Sequence, residues 1–324
     1  MHDFIAIGDT VIDAFIKLKE AEVNEDRSKL ILSFGNKIPY ESVEEVPAVG
    51  NSANAAVSAA KLGLSSALVT NLGSDDNGKK CLVRLSEEKV STEFISTQEG
   101  KKTNYHYILW YGDDRTILVK HQEYDYQLPG FSEPKWVYLS SLGENTLVYQ
   151  LQLARYLQGY PNINLAFQPG TFQLKFGVDK LKDIYTRTKI FFCNVEEAGI
   201  VLGMNTLGIQ ELLKRVKDLG PEIVVITDGP KGAYAYDGTN LYKQLPYPDP
   251  KPPVERTGAG DALASTTVAA LALGKDLPTA LQWGAVNSMS VVQEVGAQKG
   301  LLTREKIEEY LKSAPAEFQT KKLN

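Results

Sequence analysis

Short apolar runs alternate with helix-patterned segments along most of this chain, and that rhythm restricts the possible folds more than any other property of the sequence. Phe4 to Ile7, Ser66 to Leu72, Trp136 to Ser140, Ile163 to Phe167, Ile190 to Cys193 and Ile223 to Thr227 read as buried strands. Each is a brief run rich in apolar and β-branched residues, with turn residues or helical segments beyond it. Asn51 to Leu62 reads as a helix that stops at Gly63, where a residue without a Cβ can turn left-handed. Strands that alternate with helices are joined by right-handed crossovers, and each crossover helix covers a sheet face. The pattern therefore predicts an α/β fold with a mostly parallel sheet and helices on both sides. Ligands collect at the carboxyl ends of such strands. Asp9, Asp13, Asn194 and Asp228 all fall just past predicted strand ends.

Two stretches break the rhythm. Phe15 to Lys19 and Leu30 to Phe34 flank the charged turn Asn24-Glu25-Asp26-Arg27, while Thr103 to Tyr111 and Thr116 to Lys120 flank Gly112-Asp113-Asp114-Arg115. Both have the texture of a hairpin, β-forming residues on either side of a polar turn. We read them as one small sheet assembled from separate parts of the chain.

With 324 residues the chain is long enough for a sizeable core, and its formal net charge of −5 comes without a long Lys/Arg block. That balance argues against nucleic acid or a membrane surface as the main partner and leaves a small-molecule substrate. Cys81 and Cys193 are too few and too far apart in sequence for a disulfide framework or a thiolate metal site, which fits a reducing cytoplasm. The first residues lack a basic, then apolar, leader pattern, and no segment approaches ~18 uninterrupted apolar residues. His2, His106 and His121 show no metal-ligand spacing, and no Gly-x-Ser-x-Gly elbow is present, so hydrolytic and metal-redox chemistries lose support.

The chemistry concentrates at Thr257-Gly258-Ala259-Gly260-Asp261, which runs into the small and apolar helical stretch Ala262 to Leu273 after a proline-stiffened approach from Pro246 to Pro253. Glycines let backbone amides come close to an anion, and the helix beginning there adds its positive dipole end. A carboxylate beside a phosphate site repels the phosphate unless it has a task, and accepting a proton from an attacking hydroxyl is such a task. The stretch is no dinucleotide fingerprint. Leu263 takes the third glycine position, and Glu255-Arg256 precedes the loop instead of a buried strand. Gly73 to Lys80 nearly spells a P-loop but ends in Lys80 where a Mg²⁺-binding hydroxyl belongs. Asn194-Val195-Glu196-Glu197 follows a strand and opens a helix, a spacing that suits either a capping box or a Mg²⁺ site. Gly50-Asn51-Ser52-Ala53-Asn54 likewise suits either a helix N-cap or amides that bind hydroxyls.

Taken together, these residues resemble the ribokinase-like sugar kinase family, also called the phosphofructokinase B type, over nearly the whole chain. Its carboxy-terminal signature matches as Glu255-Arg256-Thr257-Gly258-Ala259-Gly260-Asp261. Its amino-terminal Gly-Gly-x-x-x-Asn-x-Ala appears as Val49-Gly50-Asn51-Ser52-Ala53-Asn54-Ala55-Ala56, with the first glycine replaced. Asn194 to Glu197 supplies Asn-x-x-Glu, and Gly229-Pro230-Lys231-Gly232 the Gly-x-Lys/Arg-Gly turn.

The resemblance implies a three-layer ribokinase-like fold. Its nucleotide- and substrate-binding core would span residues 1–13, 47–100 and 126–324. A β lid at 14–46 and 101–125 would close over the sugar and often joins two subunits into a homodimer. It implies ATP and Mg²⁺ as cofactors. By position, Asp261 would be the catalytic base, with Gly258, Ala259 and Gly260 as the anion hole. Asn194 and Glu197 would hold Mg²⁺ and the triphosphate, Glu197 facing the metal. Asp13, Gly50, Asn51 and Asn54 would bind substrate hydroxyls, and Thr227, Gly229 and Asn287 would lie along the nucleotide. Glu255 stands where many members carry an Asp that helps hold a monovalent cation, which leaves K⁺ activation open. Asn51 replaces the Lys of ribokinases proper, which leaves the substrate open.

The expected activity is ATP-dependent phosphorylation of a hydroxymethyl group on a sugar or sugar-like molecule. A nucleoside kinase is the alternative, with Tyr105, Tyr107, Trp110 and Tyr111 available to stack on a base. A non-catalytic sugar sensor is the alternative from another class. Arg27, Lys29, Lys37 and Arg256 are the cations from which a pocket for an acidic substrate could be built.

Overall fold

The computed structural model describes residues 2–112, 114–204 and 207–323; Asp113, in one of the predicted hairpin turns, lies outside the described residues. In chain order the strands are β1 (Phe4–Ile7), β2 (Val11–Leu18), β3 (Glu22–Val23), β4 (Leu30–Ile31), β5 (Tyr40–Val49), β6 (Ser66–Gly73), β7 (Ile95–Gln98), β8 (Asn104–Tyr111), β9 (Asp114–Leu118), β10 (Trp136–Leu139), β11 (Asn164–Phe167), β12 (Thr188–Asn194), β13 (Ile223–Thr227), β14 (Ala233–Tyr236), β15 (Leu241–Gln244) and β16 (Lys321–Leu323). The helices are α1 (Asn51–Lys61), α2 (Asp76–Glu87), α3 (Leu147–Gly159), α4 (Thr171–Phe176), α5 (Lys182–Arg187), α6 (Val195–Leu202), α7 (Ile209–Asp218), α8 (Ala259–Ala272), α9 (Leu277–Val291) and α10 (Arg304–Lys312).

The large sheet runs β16-β15-β14-β13-β12-β11-β10-β1-β6-β7. It is parallel from β7 to β13 and turns antiparallel at β14. Its strands are apolar throughout because both faces are covered. In β1, Phe4 and Ala6 join the apolar layer of α1, α8 and α9, whereas Ile5 and Ile7 join the layer of α3, α5 and α7. That alternation is the strand period of two, and it makes three layers.

Helices α1 and α8 are built of Ala, Ser, Thr and other small residues, so their backbones approach closely. Ser58 Oγ and Thr266 Oγ1 meet at 3.1 Å between them. On the other flank of α8, a Cβ on Gly284 of α9 would lie 2.7 Å from the Leu263 carbonyl oxygen. This packing brings Asn54 beside Asp261.

The second sheet is β5-β2-β8-β9. The hairpin expected from Thr103 to Lys120 forms as β8 and β9. The first one does not form as expected. Strand β2 pairs with β5, while Leu30 and Ile31 make a separate two-residue ladder with β3. The reason is packing. Strand β5 ends in the buried pair Ala48 and Val49, whereas Ile31, Leu32 and Phe34 are exposed and find no surface to cover. No helix among the described residues is long and apolar enough to cross a membrane.

Candidate active site

Five parallel strands deliver polar side chains to one edge of the large sheet: Asp9 beyond β1, Ser141 beyond β10, Gln168 beyond β11, Asn194 at the end of β12 and Thr227 at the end of β13. Together with the inner face of the small sheet and the start of α8 they line a cavity of about 680 Å³. The register explains the small sheet's share. Asp13 is paired with His106, and Trp110, on the same side of β8 as His106, is paired with Arg115. Residues two apart on a strand share a face, so Asp13, His106 and Arg115 all turn toward the cavity.

Gly258 caps α8 with φ +81°, and a Cβ there would stand 2.4 Å from the Cβ of Ala297. Only glycine fits, and it aims the first-turn amides, which have no helical acceptor behind them, into the cavity. Asp261 sits in that first turn. Its Oδ2 accepts a hydrogen bond from Asn54 Nδ2 at 2.8 Å, and its Oδ1 accepts one from Gln168 Nε2 at 3.1 Å. Both amides are locked from behind. Asn54 Oδ1 accepts from Gln298 Nε2 at 3.1 Å, and Gln168 Oε1 accepts from the Tyr138 hydroxyl. Enclosure away from water lifts the Asp261 pKa above the ordinary carboxylate value. The two amide donors pull it down, nearby Asp13 raises it and Arg115 lowers it. No Lys, Arg or His lies within ion-pair distance of it among the described residues.

Asn194 and Glu197 form the reciprocal capping box, Asn194 Oδ1 accepting from the Glu197 amide at 2.8 Å and Glu197 Oε2 from the Asn194 amide at 2.9 Å. Both also line the cavity. Capping and exposure to a ligand are thus compatible, since Glu197 Oε1 is left over. Burial raises the Glu197 pKa, the Asn194 amide opposes this, and Asp261 adds to it. Glu255 is buried, with Oε2 accepting from the Thr257 amide at 2.6 Å and Oε1 from the Gly296 amide at 2.9 Å. It braces the glycine loop against the loop around Gly296.

A second cavity of about 530 Å³ lies across the loop, lined by Gly229, Pro230, Tyr247, Pro248, Ala259, Met289 and Val292 among others. The two cavities share Thr227, Arg256, Gly260 and Leu263. A hydroxyl-rich ligand fits the polar side, a flat apolar group fits the other, and an anion between them meets the N-terminus of α8.

Asp13, Gly50, Asn51, Asn54, Asn194, Glu197, Thr227, Gly258, Gly260 and Asp261 line the first cavity, and Ala259 and Gly229 the second. Asn287 lines neither. Its Nδ2 donates to Thr266 Oγ1 at 2.7 Å and its Oδ1 accepts from the Leu302 amide at 2.9 Å. The fully buried amide is spent inside the core, which corrects its expected place along the nucleotide. Tyr105, Tyr107, Trp110 and Tyr111 also line neither cavity, nor do Arg27, Lys29 and Lys37. The sequence reading passed over Gln168, Arg115, His106, His121, Phe172 and Lys175 as cavity residues. The strand-end rule that flagged Asp9 and Asn194 would have flagged Gln168, whereas His106 reaches the cavity through the register of β8 against β2, which no spacing in the sequence marks.

The sequence model of the pfkB family of carbohydrate kinases matches residues 1–304. Ribokinase of Bacillus subtilis (strain 168) is 28% identical over 291 residues, which covers 86% of this chain and 92% of that relative. Among solved structures, the nucleoside kinase of Methanocaldococcus jannaschii is similar with a TM-score of 0.78 at 21% identity, covering 96% of this chain and 98% of that one. The Arabidopsis thaliana ribokinase solved with ribose and ATP has a TM-score of 0.77 at 19% identity, covering 96% and 99%. At these identities the structural likeness speaks to the fold alone.

Proposed function

The chain belongs to the pfkB family of carbohydrate kinases, and from that membership we propose that it moves the γ-phosphoryl group of ATP to a hydroxymethyl group of a sugar or sugar-like acceptor, with Asp261 as base. Membership makes it an ATP-dependent phosphotransferase, a sugar or nucleoside kinase of ribokinase fold. The observation that carries the finer reading is a carboxylate held by two neutral amides in the first cavity, next in the chain to Gly260, which lines both cavities.

In this reading the acceptor lies in the first cavity, its hydroxyls on Asp13, Gly50, Asn51 and Asn54, and the nucleotide lies along Thr227 and Gly229 in the second. Asp261 accepts the proton of the attacking hydroxyl as the oxygen reaches phosphorus. The amides of Gly258, Ala259 and Gly260 face the charge that develops on the phosphoryl oxygens. Arg256, exposed between the two cavities, adds positive charge there. Mg²⁺ needs only one or two carboxylates and keeps most of its waters, so Glu197 and Asn194 fit a Mg²⁺ that would neutralise triphosphate charge. Each Glu255 oxygen accepts from one backbone amide, and the proposal leaves K⁺ activation open.

The nucleoside alternative has less support, because the four aromatic residues that suggested base stacking lie outside the cavity. Two further features belong to the reading. A second copy of the chain covers the outer face of the small sheet, where Val43, Tyr107 and Leu118 stand exposed. The free, buried Cys81 and Cys193 suit a cytoplasmic setting.

An ADP-release assay with a panel of sugars and nucleosides tests the proposal. Asp261→Asn should lower kcat by at least ~10²-fold with ATP binding little changed; near-normal turnover would remove Asp261 from the role. A wild-type protein that binds sugars without releasing ADP would turn the reading toward a sensor.

A further inference from the structure

We propose that the acceptor carries an anionic group, a carboxylate or a phosphoryl group, away from the hydroxyl it offers to Asp261, and that Arg115 on the inner face of the small sheet recognises it. The inference rests on the kinase reading and adds the substrate class.

The Arg115 side chain is 26% exposed, and among the described residues the carboxylate nearest to it is that of its own neighbour Asp114 at 3.7 Å, itself 73% exposed. That distance is too long for a hydrogen bond, and solvent screens so exposed a charge. The Arg115 Nε is buried with no hydrogen-bond partner. A guanidinium offers five donors and no acceptor, so an enclosed one without an anion is incomplete.

Of the other carboxylates of the cavity, Asp9 and Asp261 are engaged by neighbouring side chains, while Asp13 and Glu197 each keep an oxygen without a hydrogen-bond partner among the described residues. Asp9 accepts from the Tyr126 hydroxyl at 2.7 Å and lies 3.1 Å from His121 Nδ1. Asp261 is held by its two amides. Asp13 lies 3.5 Å from His106, and neither its Oδ1 nor the His106 Nε2 has a hydrogen-bond partner. Lys175, at the rim, holds its ammonium 5.1 Å from the Phe172 ring centroid and has no carboxylate partner among the described residues.

The position points to the acceptor rather than to ATP. Arg115 lines only the first cavity, whereas Arg256 lines both. A neutral polyol can accept hydrogen bonds from a guanidinium but leaves its charge without a counterion. A planar carboxylate or a phosphoryl group matches its fork.

ADP release by the full chain with MgATP would be measured on three acceptor classes that each retain a free hydroxymethyl group: neutral sugars, sugar acids and sugar monophosphates. One anionic class should exceed the neutral class in kcat/KM by at least ~10-fold, and which one does so separates carboxylate from phosphoryl. Arg115→Met should reduce kcat/KM for that class by roughly ten- to a hundredfold, chiefly through KM, with partial rescue in Arg115→Lys. Independently of any variant, the wild-type KM for the anionic acceptor should rise with ionic strength while that for a neutral acceptor holds. Equal use of neutral and anionic acceptors, or an Arg115→Met effect on the KM for ATP alone, overturns the proposal and leaves the kinase reading standing. Absence of ADP release with every acceptor overturns both.

Discussion

Asp261 is gripped on both oxygens by neutral donors, and this choice sets its basicity. A cation in either place would hold the carboxylate ionised but weak as a base, whereas two amides only partly offset the effect of enclosure. The pKa therefore stays raised, nearer the working pH, where a general base is most effective. Removing one amide should move it further. Asn54→Ala should shift the acidic limb of the kcat profile upward, because a hydrogen bond that favoured the ionised form is lost; an unmoved limb would detach Asn54 from the base. The sign for stability follows from the same shift. A carboxyl whose folded pKa lies above its unfolded value binds more protons in the native state. Stability is thus lost as pH rises through that window, and the ionised group remains a cost above it. Asp261→Asn should accordingly remove this group's loss of stability with rising pH while losing turnover, which calorimetry at several pH values would check. The sequence made Asp261 legible because glycines beside a helix start have few other uses. Gln168 was within reach of the strand-end rule, standing just past β11, but no spacing marks a glutamine as the partner of a particular carboxylate. Asn287 misled because an amide on a helix face serves a core hydrogen bond as readily as a ligand.

At the scale of elements, the site depends on how closely α1, α8 and α9 approach one another. At the start of α8, Gly258 admits no side chain, since its left-handed backbone and the nearby Ala297 both exclude one. Gly258→Ala should cost about 1–3 kcal/mol from the backbone alone and lower kcat at least tenfold by displacing the first-turn amides; a variant with unchanged Tm and kcat would show that the loop tolerates another path. The alternation of strands and helices was readable because buried parallel strands admit little besides apolar residues. The pairing of β2 with β5 was harder to read. Leu30 to Phe34 has the composition of a strand, yet composition does not say whether a packing surface waits for it, and β5, with Glu41, Glu44 and Glu45 among its residues, lacks a strand's apolar run.

Over the whole molecule, the small sheet has two unlike faces. The inner one carries Asp13, His106 and Arg115 to the cavity, and the outer one exposes Val43, Tyr107 and Leu118. An apolar sheet face left to water favours association. Sedimentation should find a dimer for the wild type and a monomer for Tyr107→Glu, and a monomeric wild type at micromolar concentration would remove the second copy from the proposal. The resemblance to a lidded kinase supplied this expectation; residue pattern alone gave a second sheet without saying which face meets what.

Asn54 and Asp261 are 207 positions apart in the chain, and Gln168 lies between them. A growing polypeptide therefore possesses the pocket wall long before it possesses the residue proposed as proton acceptor. In that reading, turnover waits until the segment carrying Asp261 has emerged and docked beside Asn54.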